Sequence, residues 1–318
     1  MKDIPAQIET SCPELNDAWM RYGRIILEES DIMIADTQDA DYSGEDRKGK
    51  HVTFSVWGWS CESAAGAKEA AAARAKRAFD WWVNGGERRD AYDYLDQPLR
   101  EEIVDTVRCG GEETAVITRN RYGALVLNSA SVCFVDVDFP QVQSSGFLDA
   151  LKMMFSKRLR EQRREALRIA TMEKLKNWAA RNSRRSFRLY RTAAGFRLLF
   201  TDALYEPTSD EVRQLLEELG SDTMYRRLTA KQACFRARLT AKPWRVGCNR
   251  PPNRYPWKDA EAEIKYRKWQ NNYEVKAGAY GVCELVEVFG KSCGDERIGT
   301  VMSLHDKYTC TKTGAALA

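Results

Sequence analysis

Alternation of apolar and polar positions gives the clearest early signal in the chain. Between residues 51 and 60, Val52, Phe54 and Val56 fall on one side while Thr53, Ser55 and Trp57 fall on the other, the period of a half-buried strand. Residues 64–82 are rich in alanine, the best helix former, and Gly85 and Gly86 follow where a helix commonly ends. A strand followed by a helix is thus the first predicted unit. Pro98, with Glu101 and Glu102 behind it, has the form of a helix start. Residues 113–118, 123–127 and 132–137 are β-like runs separated by short polar turns, and they predict neighbouring antiparallel strands.

A long helix is expected next. Leu148, Leu151, Phe155, Leu159, Ala166, Ile169, Met172 and Leu175 recur at helical steps, and Arg158, Arg160, Arg163, Arg164 and Arg168 take the opposite face. That basic face reads as a solvated surface, with a phosphate-facing role as the alternative. Residues 187–190 and 196–200 predict two strands around the turn at Thr192–Gly195. A short helix should run to Leu219, capped by Ser209 and closed by Gly220. Residues 233–239 alternate as a strand, and the prolines of 242–257 exclude regular structure. A helix over 261–273 and a strand over 283–289 complete the pattern.

Residues 1–50 show little periodicity, and 36–50 read as an exposed loop. With no repeat or low-complexity linker, the expected organisation is an N-terminal extension over 1–50 and a single α+β domain over 51–318. Its core would be a mostly antiparallel central sheet with the helices 64–82 and 148–178 packed on it.

Composition narrows the classes. No run approaches the roughly 18–20 apolar residues of a membrane helix, and the polar, acidic start is unlike a signal peptide. The expectation is a cytoplasmic protein with no membrane partner; the sequence carries no signal for oligomeric state. The nine cysteines form no CxxC pair and only two histidines are present, so a structural zinc site is not expected. Net charge is only +4, but residues 157–191 are basic and 28–46 acidic, which permits an anionic ligand.

The sharpest chemical feature is Phe134-Val-Asp136-Val-Asp138-Phe-Pro140. On a strand, alternation sends both carboxylates to one face, about 7 Å apart. Their repulsion calls for a divalent cation, an arginine or bulk water. A cation there, Mg²⁺ or Mn²⁺, would suit phosphoryl or nucleotidyl transfer, because it neutralises charge building on phosphate oxygens. Arg188, Arg191, Arg197, Arg236, Arg238 and Lys242 are the candidate phosphate ligands, since guanidinium groups suit phosphate in a two-pronged way. Arg188 or Arg197 paired with Asp136 or Asp138 is the ligand-free alternative. His305-Asp306 has the form of an oriented imidazole without a visible third partner. GxSxG, P-loop and GxGxxG patterns are absent, so hydrolase, P-loop and Rossmann readings lack a basis.

Two resemblances attach to these residues. Thr118–Asn128, Phe134–Pro140, Tyr190–Leu199, Phe235–Arg245 and Leu304–Asp306 resemble an uncharacterised bacterial protein family carrying TRNxYGxLVLN, FVDVDxP, YRTxxGxRLL, FRARLTxKPWR and a late LHD. Over about 110 residues the chain also resembles the archaeo-eukaryotic primase-like fold, with its RRM-like core. Asp136 and Asp138 match that fold's first acidic motif and Gly195 its glycine turn. Arg197 stands where a histidine is usual, and the third acid is missing near Arg238-Leu-Thr240. The resemblance implies a metal-dependent protein processing nucleotides or nucleic acid, with Asp136, Asp138 and Arg197 at its catalytic centre. The alternatives are a non-catalytic binder of nucleic acid or another polyanion, and a protein-interaction module using the aromatic tract from Trp244 to Trp257.

Overall fold

The structure, a computed structural model, describes residues 36–45, 49–60, 63–84, 101–142, 146, 151–152, 154–310 and 314–318. The expected helix end at Gly85-Gly86, the start at Pro98 and the position of Leu148 lie outside the described residues. Contacts divide the chain into two compact units, Met1–Arg100 and Glu101–Ala318. The boundary thus falls some 50 residues later than the pattern suggests. Among the described residues no helix is long and apolar enough to cross a membrane.

In the first unit, strand β1 (Asp36–Glu45) pairs antiparallel with β2 (His51–Ser60), and helix α1 (Ala64–Val83) packs on them. Most of the segment expected as a loop is therefore a strand. Its inward positions are Ala40, Tyr42 and Gly44, all half-buried, while its outward positions are polar. Tyr42 meets the Phe79 ring at 5.2 Å. Helix α1 buries Ala67, Ala71 and Ala75 completely. A Cβ on Gly58 would lie 2.2 Å from the backbone nitrogen of Ala71, so small residues on both partners let strand and helix backbones touch.

The second unit holds two four-stranded antiparallel sheets. One runs β3 (Glu102–Cys109), β4 (Glu112–Arg119), β5 (Leu125–Ser129), β9 (Phe235–Arg238). The other runs β10 (Cys283–Phe289), β7 (Phe187–Thr192), β8 (Gly195–Phe200), β6 (Phe134–Asp138). The α+β class and antiparallel pairing agree with the pattern, but β5 and β6 are not neighbours. Ser129 turns the chain from one sheet to the other, its hydroxyl accepting from the Val132 amide at 3.0 Å. Glu102 begins a strand, not the helix that Pro98 suggested; its register with β4 sets it opposite Arg119.

Both sheets share one core, in which Ile117, Leu127, Phe134, Leu198 and Phe235 are fully buried. Helices α2 (Lys157–Arg181), α3 (Asp210–Leu219) and α6 (Glu296–Thr309) close it through Leu175 and Trp178, through Val212, Leu215, Leu216 and Leu219, and through Ile298 and Val301. The apolar stripe expected along α2 is buried only in its second half: Phe155, just before the helix, is 77% exposed and Ile169 is also exposed. Helices α4 (Thr223–Gln232) and α6 lack an apolar pattern strong enough to read from sequence. Asp222 and Asp295 cap them by accepting from backbone amides. Helix α5 (Ala260–Ala277) adds a smaller cluster, packing Tyr273 near Ala241, Val246 and Cys248. Within the irregular tract, Pro243–Val246 forms one 3₁₀ turn.

Candidate functional site

Sheet register builds the centre. Asp136 on β6 faces Arg197 on β8, and Arg197 faces Tyr190 on β7. The Arg197 guanidinium is 1% exposed and grips Asp136 with two bonds, Nε to Oδ1 at 2.7 Å and Nη2 to Oδ2 at 3.1 Å. Its Nη1 donates to the Arg238 carbonyl of β9 at 2.9 Å, so one side chain ties the two sheets together. Burial works against ionising Asp136, but the Arg197 charge and hydrogen bonds outweigh it and hold the carboxyl below its usual range. The ligand-free alternative at Asp136 is thus the one found. Each oxygen of this expected metal ligand accepts one bond from Arg197, which is thereby tied to Asp136.

Three other candidate phosphate ligands are also spoken for. Arg188 donates to Asp306 Oδ2 at 2.8 Å and to the Tyr190 hydroxyl at 2.7 Å. Arg191 donates to Glu284 Oε2 at 2.6 Å and 3.1 Å. Arg236 meets the buried Glu101 at 2.8 Å and 2.9 Å. Each expected arginine met a carboxylate delivered from a distant part of the chain, which no spacing in the sequence reveals.

Arg238 and Lys242 are different. Neither makes an ion pair among the described residues, and the buried Nε of Arg238 has no hydrogen-bond partner. Arg245, which sits beside them but had no place in the expected clamp, likewise makes no ion pair among the described residues. Burial pushes the Arg238 pKa down, and the nearby Arg197 and Arg245 charges push it further. Lys242 is lowered by burial and then by Arg238 and Arg245. Three cations therefore crowd together, disfavouring one another; Asp136 and Asp138 pull the other way, but neither forms an ion pair with any of the three among the described residues.

Asp138 lies at the exposed end of β6. Partial burial raises its carboxyl pKa, and Asp136 and Asp222 raise it further, against the opposing pull of Lys242 and Arg238. A carboxyl raised on folding opposes the folded state when ionised; the penalty starts to fall as pH drops through the folded pKa and is gone below the unfolded value of about 3.9. Asp138→Asn is expected to raise the thermal midpoint at pH 7, by the equivalent of no more than about 1 kcal/mol for a group so open to solvent. The gain should shrink as pH falls through the folded pKa and be gone at about pH 3, below the unfolded pKa. A variant less stable than wild type at pH 7 would contradict the repulsion. Among the described residues no group of three histidine, cysteine, aspartate or glutamate side chains is arranged to hold a metal ion.

His305-Asp306 does find a third partner. His305 Nδ1 lies 3.1 Å from Asp306 Oδ1, and its Nε2 lies 4.0 Å from Cys283 Sγ. Burial, helped by Arg197, lowers the imidazole pKa against the pull of Asp306. Burial also pushes the Cys283 thiol up to about 11, although Arg197 pulls the other way. A neutral thiol beside a neutral imidazole, both buried, is not an activated nucleophile. Asp306 instead accepts from Tyr190 and Arg188, locking α6 onto β7.

The tract after β9, expected above as a protein interface in one alternative and with only Lys242 counted as a phosphate ligand, adjoins the same cations. From Lys242 to Lys258 it carries five cations and no acid, a signal that was available in the sequence. Trp244 is 47% exposed, stands edge-on to Tyr122 at 5.3 Å and carries Lys242 Nζ 5.6 Å from its ring centre. Arg121 and Arg250 lie over the Tyr122 ring at 4.9 Å and 5.8 Å. Comparison of the chain with protein-family models, curated proteins and solved structures finds no match.

Proposed function

We propose that the protein binds a phosphate-bearing ligand, a nucleotide or nucleic acid, through Arg238, Lys242 and Arg245. The observation that carries this reading is the buried, unpartnered Nε of Arg238 among three cations that form no ion pair among the described residues, and whose crowding lowers Arg238 and Lys242 despite the pull of Asp136 and Asp138. Elsewhere in the second unit, arginines such as Arg188, Arg191, Arg197 and Arg236 are paired with acids. Like charges gathered in a partly desolvated place are unfavourable until an anion arrives. Binding by such a group needs no metal and no bond cleavage, so the non-catalytic reading is favoured over the metal-dependent one.

Inorganic polyphosphate, which has charge but no bases, tests the cation site directly. Wild-type protein should bind it with an affinity that falls as salt rises, because binding displaces counterions. The double variant Lys242→Gln/Arg245→Gln should bind at least tenfold more weakly and show a shallower salt dependence. Equal affinity for the two proteins would remove the proposal.

The metal-dependent alternative keeps one specific support: the repulsion of Asp138 by Asp136 and Asp222, which a cation would relieve. Calorimetry with Mn²⁺ separates the readings. Saturable uptake lost in Asp138→Asn would favour nucleotidyl transfer, and no uptake at millimolar metal leaves anion binding alone.

A further inference from the structure

A site for phosphate need not include an exposed aromatic ring, yet this one does. Trp244 lies between Lys242 and Arg245 in sequence and follows Pro243 at the start of the 3₁₀ turn. Pro243 and Val246 are buried while Trp244 faces outward, so the turn is anchored by its neighbours and presents the indole. Tyr122, at the turn between β4 and β5, supports that indole edge-on. The Tyr122 ring is in turn flanked by Arg121 and Arg250.

The tract holding this surface is fixed in place. Trp269 donates to the Asn249 carbonyl at 3.0 Å, Lys276 to the Gly247 carbonyl at 3.1 Å, and Asn253 to the Ala262 carbonyl at 2.7 Å. The Cys248 amide donates to the Pro243 carbonyl at 2.9 Å. A pre-formed surface loses little conformational freedom on binding. Its charge is one-sided: Lys242, Arg245, Arg250, Arg254 and Lys258, with no acid between them. Arg250, Arg254 and Lys258 are exposed.

Resting on the phosphate-binding reading above, we infer that the ligand is single-stranded nucleic acid, with an unpaired base stacked on Trp244 and the adjoining backbone phosphates held by Lys242, Arg245 and Arg238. Aromatic platforms interleaved with cations suit single strands, because every unpaired base offers a π-face and the strand's phosphates run alongside. A duplex hides those faces and leaves the indole unused. An acidic peptide would satisfy the cations but gives no planar ring for Trp244 to stack on.

The test is fluorescence anisotropy of the full chain with a labelled single-stranded 20-mer, the same sequence as a duplex, and polyglutamate as competitor. Single strand should bind at least tenfold more tightly than duplex. Trp244→Ala should weaken single-strand binding about 5- to 150-fold, the range for losing one base–aromatic stack. Trp244→Phe should retain most of the affinity, and Trp244→Ala should lose several-fold more affinity for the single strand than for polyphosphate. Because the indole is exposed, an unchanged thermal midpoint should accompany both.

Trp244→Ala within twofold of wild type, duplex binding as tight as single strand, or polyglutamate competing as well as unlabelled oligonucleotide would each overturn the inference. If polyphosphate binding and its loss in Lys242→Gln/Arg245→Gln persist in those cases, the phosphate-binding reading stands without it. If neither polyphosphate nor oligonucleotide binds, both fall.

Discussion

Arg197→Met is expected to destabilise the second unit by about 3–5 kcal/mol, the usual result of removing one partner from a buried ion pair. The substitution leaves Asp136 without the two guanidinium bonds that sustain its charge, and it also removes the donor to the Arg238 carbonyl. The loss should depend on pH in a defined way. In the wild type the Asp136 carboxyl is held below its usual range, so the pair contributes stability above the unfolded carboxylate pKa of about 3.9 and loses it as pH falls through the lower folded value. In the variant, burial is opposed only by the Arg238 and His305 charges, the two guanidinium bonds being gone, so the carboxyl rises and the deficit should shrink as pH is lowered towards about 4. The double variant Asp136→Leu/Arg197→Met should recover part of the loss, because an apolar pair needs no counter-charge. Urea unfolding at pH 7 and pH 4 measures all three. A single-variant loss under 1 kcal/mol would mean that the pair is not what joins the sheets.

The same pair shows how much the sequence could say. Strands β2, β7, β8 and β10 alternate or run apolar strongly enough to be seen, and Ser209 and Gly220 mark the ends of α3 as their chemistry dictates. Strand β1 alternates just as strictly, but its inward residues are alanine, tyrosine and glycine, so its period carries little hydrophobic contrast. Antiparallel pairing was legible; the allocation of strands to two sheets was not, because a short turn at Ser129 looks the same whether the next strand returns to its neighbour or crosses the core. The acidic pair stood out by spacing alone. Its partner was only one of several arginines, and register between β6 and β8 decides which one reaches it. Whether an arginine is free or tied depends on acids such as Glu101, Glu284 and Asp306, whose approach is tertiary. The run of cations without acids after β9 was readable, but its meaning depended on Arg238 being left unpaired.

Gly195→Ala should cost about 3 kcal/mol, the upper part of the range for forcing an extra methyl into a packed site. The reason is space, not backbone conformation. A Cβ at this position would stand 2.2 Å from the Val137 carbonyl oxygen and 2.9 Å from the Asp138 Cα. Those are backbone atoms of β6, paired in register with Gly195, so no side chain can swing aside. Relief requires the ends of β6 and β8 to separate, which also strains the Phe139 amide bond to the Ala194 carbonyl at 2.8 Å. At roughly 2–4 °C per kcal/mol for a unit of this size, the midpoint should drop by about 6–12 °C. Gly299→Ala is the matched control: a methyl there meets nothing within 4 Å inside α6, and alanine favours helix by about 1 kcal/mol, so the same change should raise the midpoint. The two glycines separate space from propensity, and Gly195 has a further consequence. It holds Asp138 and the Asp136–Arg197 rung at their spacing, so displacing β6 should also weaken polyphosphate binding at temperatures where the variant is still folded. If Gly195→Ala melts with wild type, the two strands are not in the close backbone contact on which the site's geometry depends.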